Sequence, residues 1–282
     1  MESFLRKAEA ISVIGVINDL FLKPLEHMEF ARHFPKYEYQ NLAILSYESV
    51  SCGVPLTISL GTCADYQGAT YDSPIGTGIG QSAERLLNKL PDIKHLFNKH
   101  RINIAVNIDV SDAESADLVL RDKLSVPPQE FVRLTRLSQD SIRTEAMRHG
   151  FSGNVRVSSI LDKCQEANLD YSEKSSQLRR QFFEREARDI KCKRLIAGLI
   201  DERKSKGEYA TIPSEEYELM AIAELAAYAV YGELVGPDAL ICSPHAKSAV
   251  MAYNLLKDDQ DTISPTLYIG DSPKEKRSLF ED

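Results

Sequence analysis

The sequence has no CxxC pair, no membrane-length apolar run, no internal repeat and no excess of positive charge. Each absence removes a class of protein. The five cysteines, Cys52, Cys63, Cys164, Cys192 and Cys242, are odd in number and widely spaced. A zinc ribbon or a dithiol redox motif is therefore excluded, and the usage fits a reducing compartment. The apolar run at residues 11–17 is too short for a transmembrane helix and lacks a signal-peptide cleavage pattern. A soluble cytoplasmic chain with no membrane partner is expected. The net charge of −8 and pI near 5.4 argue against a dedicated nucleic-acid binder. A local basic face is still compatible with an acidic whole.

What is present is an ordinary globular composition. The chain has 282 residues, 43% hydrophobic and 27% charged, enough to bury a full core. Apolar spacing predicts a helix over residues 11–34. The first strand is Val54-Pro55-Leu56-Thr57-Ile58-Ser59-Leu60, expected to end at Gly61. Residues 65–80 read as a loop rich in glycine. A helix follows over 82–98, with Pro91 as a candidate break or kink, and then a strand over 102–110 with asparagine and aspartate toward its carboxyl end. A helix near 127–149, a short strand over 154–157 and one long charged helix over 173–203 come next. Ser214 is positioned to cap a helix reaching Glu233. Strands are expected at 239–242 and 266–269. Helices alternating with strands imply α/β layering and a mostly parallel sheet flanked by helices.

Four constellations bear on chemistry. Ser59 sits toward the carboxyl end of a buried strand, where α/β sheets open into a ligand crevice and a hydroxyl can attack an acyl group. The same residue serves equally as a strand-end serine bonded to backbone, and its surroundings are not a GxSxG elbow. Gly76-Thr77-Gly78-Ile79-Gly80 precedes a helix but follows no strand, so a turn or a lid is favoured over a nucleotide fingerprint. Two helices concentrate cations: Arg133, Arg136, Arg143 and Arg148 in one, and Lys174, Arg179, Arg180, Arg185 and Arg188 among those of the other. Four-residue spacing against glutamate and aspartate favours ion pairs on a solvated face, with attraction of an RNA backbone as the functional alternative. Finally Tyr228, Tyr231, Glu233 and Tyr253 gather hydroxyls and a carboxylate suited to acid–base work, or else to an ordinary core.

Together these pieces resemble the tRNA-dependent cyclodipeptide synthases, over roughly residues 55–255. That family carries a Gly-Ile-Ser segment at the end of its first strand. Thr57-Ile58-Ser59-Leu60-Gly61 is similar and maps the acylated serine onto Ser59. It also carries a Tyr-x-x-x-Glu on a late helix and a tyrosine about twenty residues further on. Glu233 and Tyr253 match that spacing, whereas the position four before Glu233 is Ala229, with Tyr228 beside it. The sequence is also similar to the fungal arginine-containing branch.

The resemblance implies a Rossmann-like single domain over 54–282, preceded by an N-terminal helical segment over 1–53. It implies a seryl aminoacyl-enzyme and two aminoacyl-tRNA partners per product, with no cofactor and no metal, acting as a monomer or weak homodimer. In it Ser59, Glu233, Tyr228 and Tyr253 are catalytic. Gly61, Asp65 and Asp109 lie by the substrate, and Arg133, Arg136, Arg143, Arg179 and Arg180 meet tRNA. Two other functions fit the α/β layering. One is an S-adenosylmethionine-dependent small-molecule methyltransferase with Asp109 on the ribose, and the other is a non-catalytic tRNA-binding module.

Overall fold

The fold was obtained as a computed structural model. It describes residues 36–63, 81–121, 127–151, 153–205, 209–243, 252–257 and 264–268, together with residues 15 and 207. The expected helix at 11–34 and the glycine-rich 65–80 segment lie outside these residues apart from residue 15.

Chain order is α1 (Lys36–Cys52), β1 (Leu56–Cys63), α2 (Gln81–Lys99), β2 (Ile104–Ser111), α3 (Leu118–Arg121) and α4 (Pro128–Arg148). It continues with β3 (Val155–Ser159), α5 (Ile160–Glu166), α6 (Tyr171–Glu186), α7 (Ile190–Ser205), α8 (Tyr217–Val235), β4 (Ala239–Ser243) and β5 (Thr266–Tyr268). The five strands form one sheet in the order β3-β2-β1-β4-β5, and every neighbouring pair is parallel. This is the order of a doubly wound, Rossmann-like sheet. The chain moves outward from β1 through β2 to β3, then returns to the other side of β1 for β4 and β5. The topological switch point therefore falls between β1 and β4.

Strand periodicity divides the side chains between two unlike faces. On one face Ile58, Leu60, Val106, Ile108 and Leu240 join a core with α1, α2 and α4, and Leu42 of α1 is fully buried in it. That core explains why α2 continues through Pro91. Leu86, Leu87, Leu90, Ile93 and Phe97 flank the proline and are fully buried. Each contributes roughly 1.5–3 kcal/mol, which outweighs the ~3 kcal/mol cost of an interior proline.

The opposite face of β1 and β2 is polar, with Thr57, Ser59 and Gly61 beside Ala105, Asn107 and Asp109. It is covered by α5, α8 and the helical segment at 252–255, with α6 and α7 packed behind α8, and their apolar residues form a second core. The alanine-rich α8 is buried over most of its circumference, with Ala221, Ala223, Ala226 and Ala229 nearly inaccessible. Small side chains let α6 and α7 pack closely against it.

Three expectations are corrected. β1 continues to Cys63 instead of ending at Gly61, because Gly61 through Cys63 still pair with β2. The single charged helix is two, α6 and α7. Asp189 ends the continuity by accepting the backbone N–H of Lys191 at 2.8 Å, as a helix cap does. Ser214 caps nothing: residues Ser214–Glu216 form a 3-10 turn ahead of α8, and its hydroxyl donates to Glu215.

Candidate active site

Ser59 and Gly61 follow one another on the polar face of β1. Asn107 stands beside Ser59 in the parallel register, and Asp109 beside Gly61. Ser158 of β3 continues the outer row next to Asp109. Residues two apart on a strand are separated by roughly 7 Å. Thus one small patch carries a hydroxyl, an amide, a carboxylate and a second hydroxyl, next to the switch point where such sheets bind ligands. Ser59 is 1% exposed and Asp109 is fully buried.

A buried charge needs partners, and Asp109 has three. Ser158 Oγ donates to Oδ1 at 2.6 Å. Tyr231 donates its phenol hydrogen to Oδ2 at 3.1 Å. Lys163 Nζ lies 3.0 Å from the same oxygen. Local sequence explains the lysine's position. Ser159 and Asp162 form a reciprocal capping box that starts α5 immediately after β3. Lys163, at the middle of this short helix, thereby comes to lie over the sheet.

Tyr231 comes from α8 and lies flat against the strand. A Cβ placed on Gly61 would meet its Cε1 at 3.0 Å. Burial, then the neighbouring Asp109 charge, holds the phenol pKa well above the usual tyrosine value. Its ring meets that of Tyr253 edge-on at 5.9 Å, and Tyr253 meets Tyr228 edge-on at 6.2 Å. The carboxyl end of α8 approaches the 252–255 turn so closely that a Cβ at Gly232 would sit 2.7 Å from the Tyr253 carbonyl oxygen. Gly236, with φ at 69°, then closes the helix by donating its N–H to Gly232 O.

The remaining residues named from sequence take different places. Tyr228 is partly buried, and its hydroxyl accepts from Arg203 Nη2 at 3.0 Å, so Tyr231 is the α8 tyrosine that faces the sheet. Glu233 is on the outer side of α8 and pairs with Lys174 of α6 at 2.7 Å. Ala229 is 3% exposed inside the second core, where a tyrosine would not fit without repacking. Asp109, expected beside the substrate, is held by Ser158, Tyr231 and Lys163. Asp65 lies outside the described residues.

The arginines divide similarly. Arg133 makes two bonds to Glu130, at 2.7 and 2.6 Å, and Arg143 joins Asp140 at 2.6 Å and Val157 O at 2.9 Å. Arg179 is an internal residue that grips both oxygens of the buried Asp117 at 2.7 and 2.8 Å. Arg136 and Arg180 are exposed. Sequence reading did not identify Lys163 or Ser158. The Ser-x-x-Asp capping pattern at 159–162 could have placed the start of α5, but not what Lys163 touches. Among the described residues no group of three or more His, Cys, Asp or Glu is placed to hold a metal ion, and no helix is long and apolar enough to cross a membrane.

No family model matches the sequence, and no curated protein matches it significantly. Solved structures do match over most of the chain. PvcA from Pseudomonas aeruginosa is 14% identical, with a TM-score of 0.57 over 94% of this chain and 84% of that one. A cyclodipeptide synthase from Candidatus Glomeribacter gigasporarum bound to Phe-tRNAPhe is 14% identical, with a TM-score of 0.48 over 78% of this chain and 88% of that one. AlbC, a cyclodipeptide synthase from Streptomyces noursei, is 13% identical, with a TM-score of 0.39 over 79% of this chain and 98% of that one. At these identities the likeness to PvcA is one of fold.

Proposed function

We propose that this chain is an aminoacyltransferase that joins two aminoacyl groups from tRNA into a cyclic dipeptide through an ester on Ser59. The observation that carries the reading is the polar strand face beside the switch point. It sets Ser59 and Gly61 next to Asn107 and Asp109, under the Tyr231–Tyr253 pair. The motif resemblance across residues 55–255 and the cyclodipeptide synthases among the similar structures agree with it.

In this reaction the Ser59 hydroxyl attacks the ester carbonyl of the first aminoacyl-tRNA. A new ester forms on Oγ, and the tRNA ribose hydroxyl leaves with the proton. Exchange of one ester for another needs little driving force but accurate placement. The near-complete burial of Ser59 excludes bulk water from the ester it would form. Tyr253 orients the amine of the Ser59-bound residue as it attacks the ester carbonyl of the second aminoacyl-tRNA, whose ribose hydroxyl leaves with the proton. The free amine of the resulting dipeptidyl ester then closes the ring and releases the serine. The energy comes from the tRNA ester, so no ATP is consumed. In this reading the exposed Arg136 and Arg180 meet the tRNA backbone.

The test is direct. Cells expressing the protein should release diketopiperazines detectable by mass spectrometry. Purified protein given radiolabelled aminoacyl-tRNA should become labelled, and Ser59→Ala should lose both label and product. A Ser59→Ala protein that still accumulates covalent label rejects the assignment.

A further inference from the structure

Single exposed apolar residues are ordinary on a protein surface, whereas several gathered together mark an interface. Such a gathering lies at the amino end of α8. Helices α6 and α8 run antiparallel, since Lys174 meets Glu233 near one end and Glu186 comes within hydrogen-bonding range of Glu218 near the other. Phe183 stands one turn before Glu186 on α6, and Leu219 follows Glu218 on α8. Ile190 opens α7, one turn before Lys193, whose charge reaches Glu186. Phe183 is 40% exposed, Leu219 39% and Ile190 61%. Three large apolar side chains from three helices thus flank one pair of carboxylates.

The carboxylates set the charge of what can cover this patch. The Glu186 carboxyl is held above its usual pKa by burial and then by the neighbouring Glu218. Cations brought from outside relieve that repulsion, whereas the phosphates of a nucleic acid would add to it. The same surface presents cations of its own. Arg188, in the connection between α6 and α7, and Lys191, in the first turn of α7, are exposed. Among the described residues neither side chain has an ion-pair partner.

We propose that this patch is a self-association surface, on which a second copy of this chain binds about a twofold axis. In a twofold pairing the same surface faces itself, so that residue i meets residue j and j meets i. Phe183, Ile190 and Leu219 of the two copies then cover one another, while Arg188 and Lys191 of each copy meet Glu186 and Glu218 of the other. The patch carries both halves of the match, apolar and ionic, and this selects a copy of the chain as its occupant. The apolar centre is small and charges at the rim of an interface add little each. The dimer is therefore weak, with a dissociation constant in the micromolar range. Tyr231, beside the candidate nucleophile, lies about 20 Å further along α8. Pairing leaves that site open and does not depend on the aminoacyl-transfer reading.

Sedimentation velocity of the full chain at rising concentration tests the pairing. Wild-type protein should pass from monomer to dimer. Leu219→Ser and Ile190→Ser alter exposed side chains, so the fold should survive, as circular dichroism will report. Each should raise the dissociation constant about five- to tenfold, as truncation of a central interface residue does. Two charge-reversed variants give a sharper readout. Glu218→Lys sets cation against cation across the axis, and Arg188→Glu/Lys191→Glu sets acid against acid. Each alone should remain monomeric where the wild type is half dimeric. An equimolar mixture of the two should dimerise again, because each reversed set then faces its complement. A wild type that stays monomeric up to its solubility limit overturns the proposal, including the case in which a basic amphipathic peptide occupies the patch instead. A dimer whose dissociation constant is unchanged in these variants overturns the assignment of the surface. A mixture that stays monomeric overturns the ionic match between copies.

Discussion

Arg179 illustrates how burial reassigns a cation that sequence alone would lend to RNA. Its partner Asp117 is almost inaccessible, and the arginine side chain is only 12% exposed. Asp117 Oδ1 also accepts the backbone N–H groups of Val119 and Leu120 at 2.9 and 3.2 Å, and Oδ2 accepts Ser175 Oγ at 2.6 Å. The aspartate thus starts α3 and ties it to α6, and Arg179 neutralises it. Replacing Arg179 by glutamine leaves a buried carboxylate with no cation. Breaking such a pair costs about 3–5 kcal/mol. The three surviving hydrogen bonds place the expected loss at the lower end, about 3 kcal/mol. For a chain of this size that corresponds to a fall in Tm of about 6 °C. Urea unfolding followed by circular dichroism reads the free energy directly. Arg180→Gln, one residue away and exposed, should leave stability within about 0.5 kcal/mol. If it meets phosphate, it should instead reduce the salt slope of tRNA binding by about one unit. Asp117→Leu combined with Arg179→Met should recover part of the Arg179→Gln loss, limited by about 1 kcal/mol for the lost α3 cap. The reasoning fails if Arg179→Gln is as stable as wild type, or if it changes the salt slope as Arg180→Gln does.

Further measurements test other parts of the structure. Gly61→Ala introduces a Cβ 3.0 Å from the Tyr231 ring, so it should cost about 1–3 kcal/mol by overpacking, read as a lower urea midpoint. The carboxyl of Glu114, with Ser111 Oγ donating to it at 2.6 Å, has its pKa raised first by burial and further by nearby Asp112 and Asp117. A raised acid binds more protons folded than unfolded, so stability should fall as pH climbs from the ordinary 4.5 through the raised value. Glu114→Gln should flatten that part of the stability–pH curve, and an unchanged slope would contradict it. Burial pushes the thiols of Cys164 and Cys192 up to about 11 and that of Cys242 to about 12. Mass-mapped alkylation at pH 8 should therefore modify Cys52 in the folded state, and Cys164, Cys192 and Cys242 only after unfolding.

Much of the architecture was written in local patterns. The alternation of Ile104, Val106 and Ile108 with Asn107 and Asp109 identified β2 and its polar face. The apolar spacing of α2 survived its proline, and the helix near 127–149 matched α4 closely. These features need only neighbours within a turn or along one strand. Where a capping interaction competed with helix periodicity, as at Asp189, periodicity alone joined two helices into one.

What the chain determined unaided was therefore a layered α/β protein with Ser59 and Gly61 on one strand face, since strand alternation is a property of consecutive residues. Which groups meet that face was settled only by folding. Tyr231 rather than Tyr228 reaches the sheet, Lys163 answers Asp109 across 54 positions of sequence, and Arg179 turns inward. A buried ion must find its partner wherever packing delivers one, and the approach of α5, α6 and α8 to the sheet is fixed by the core they share.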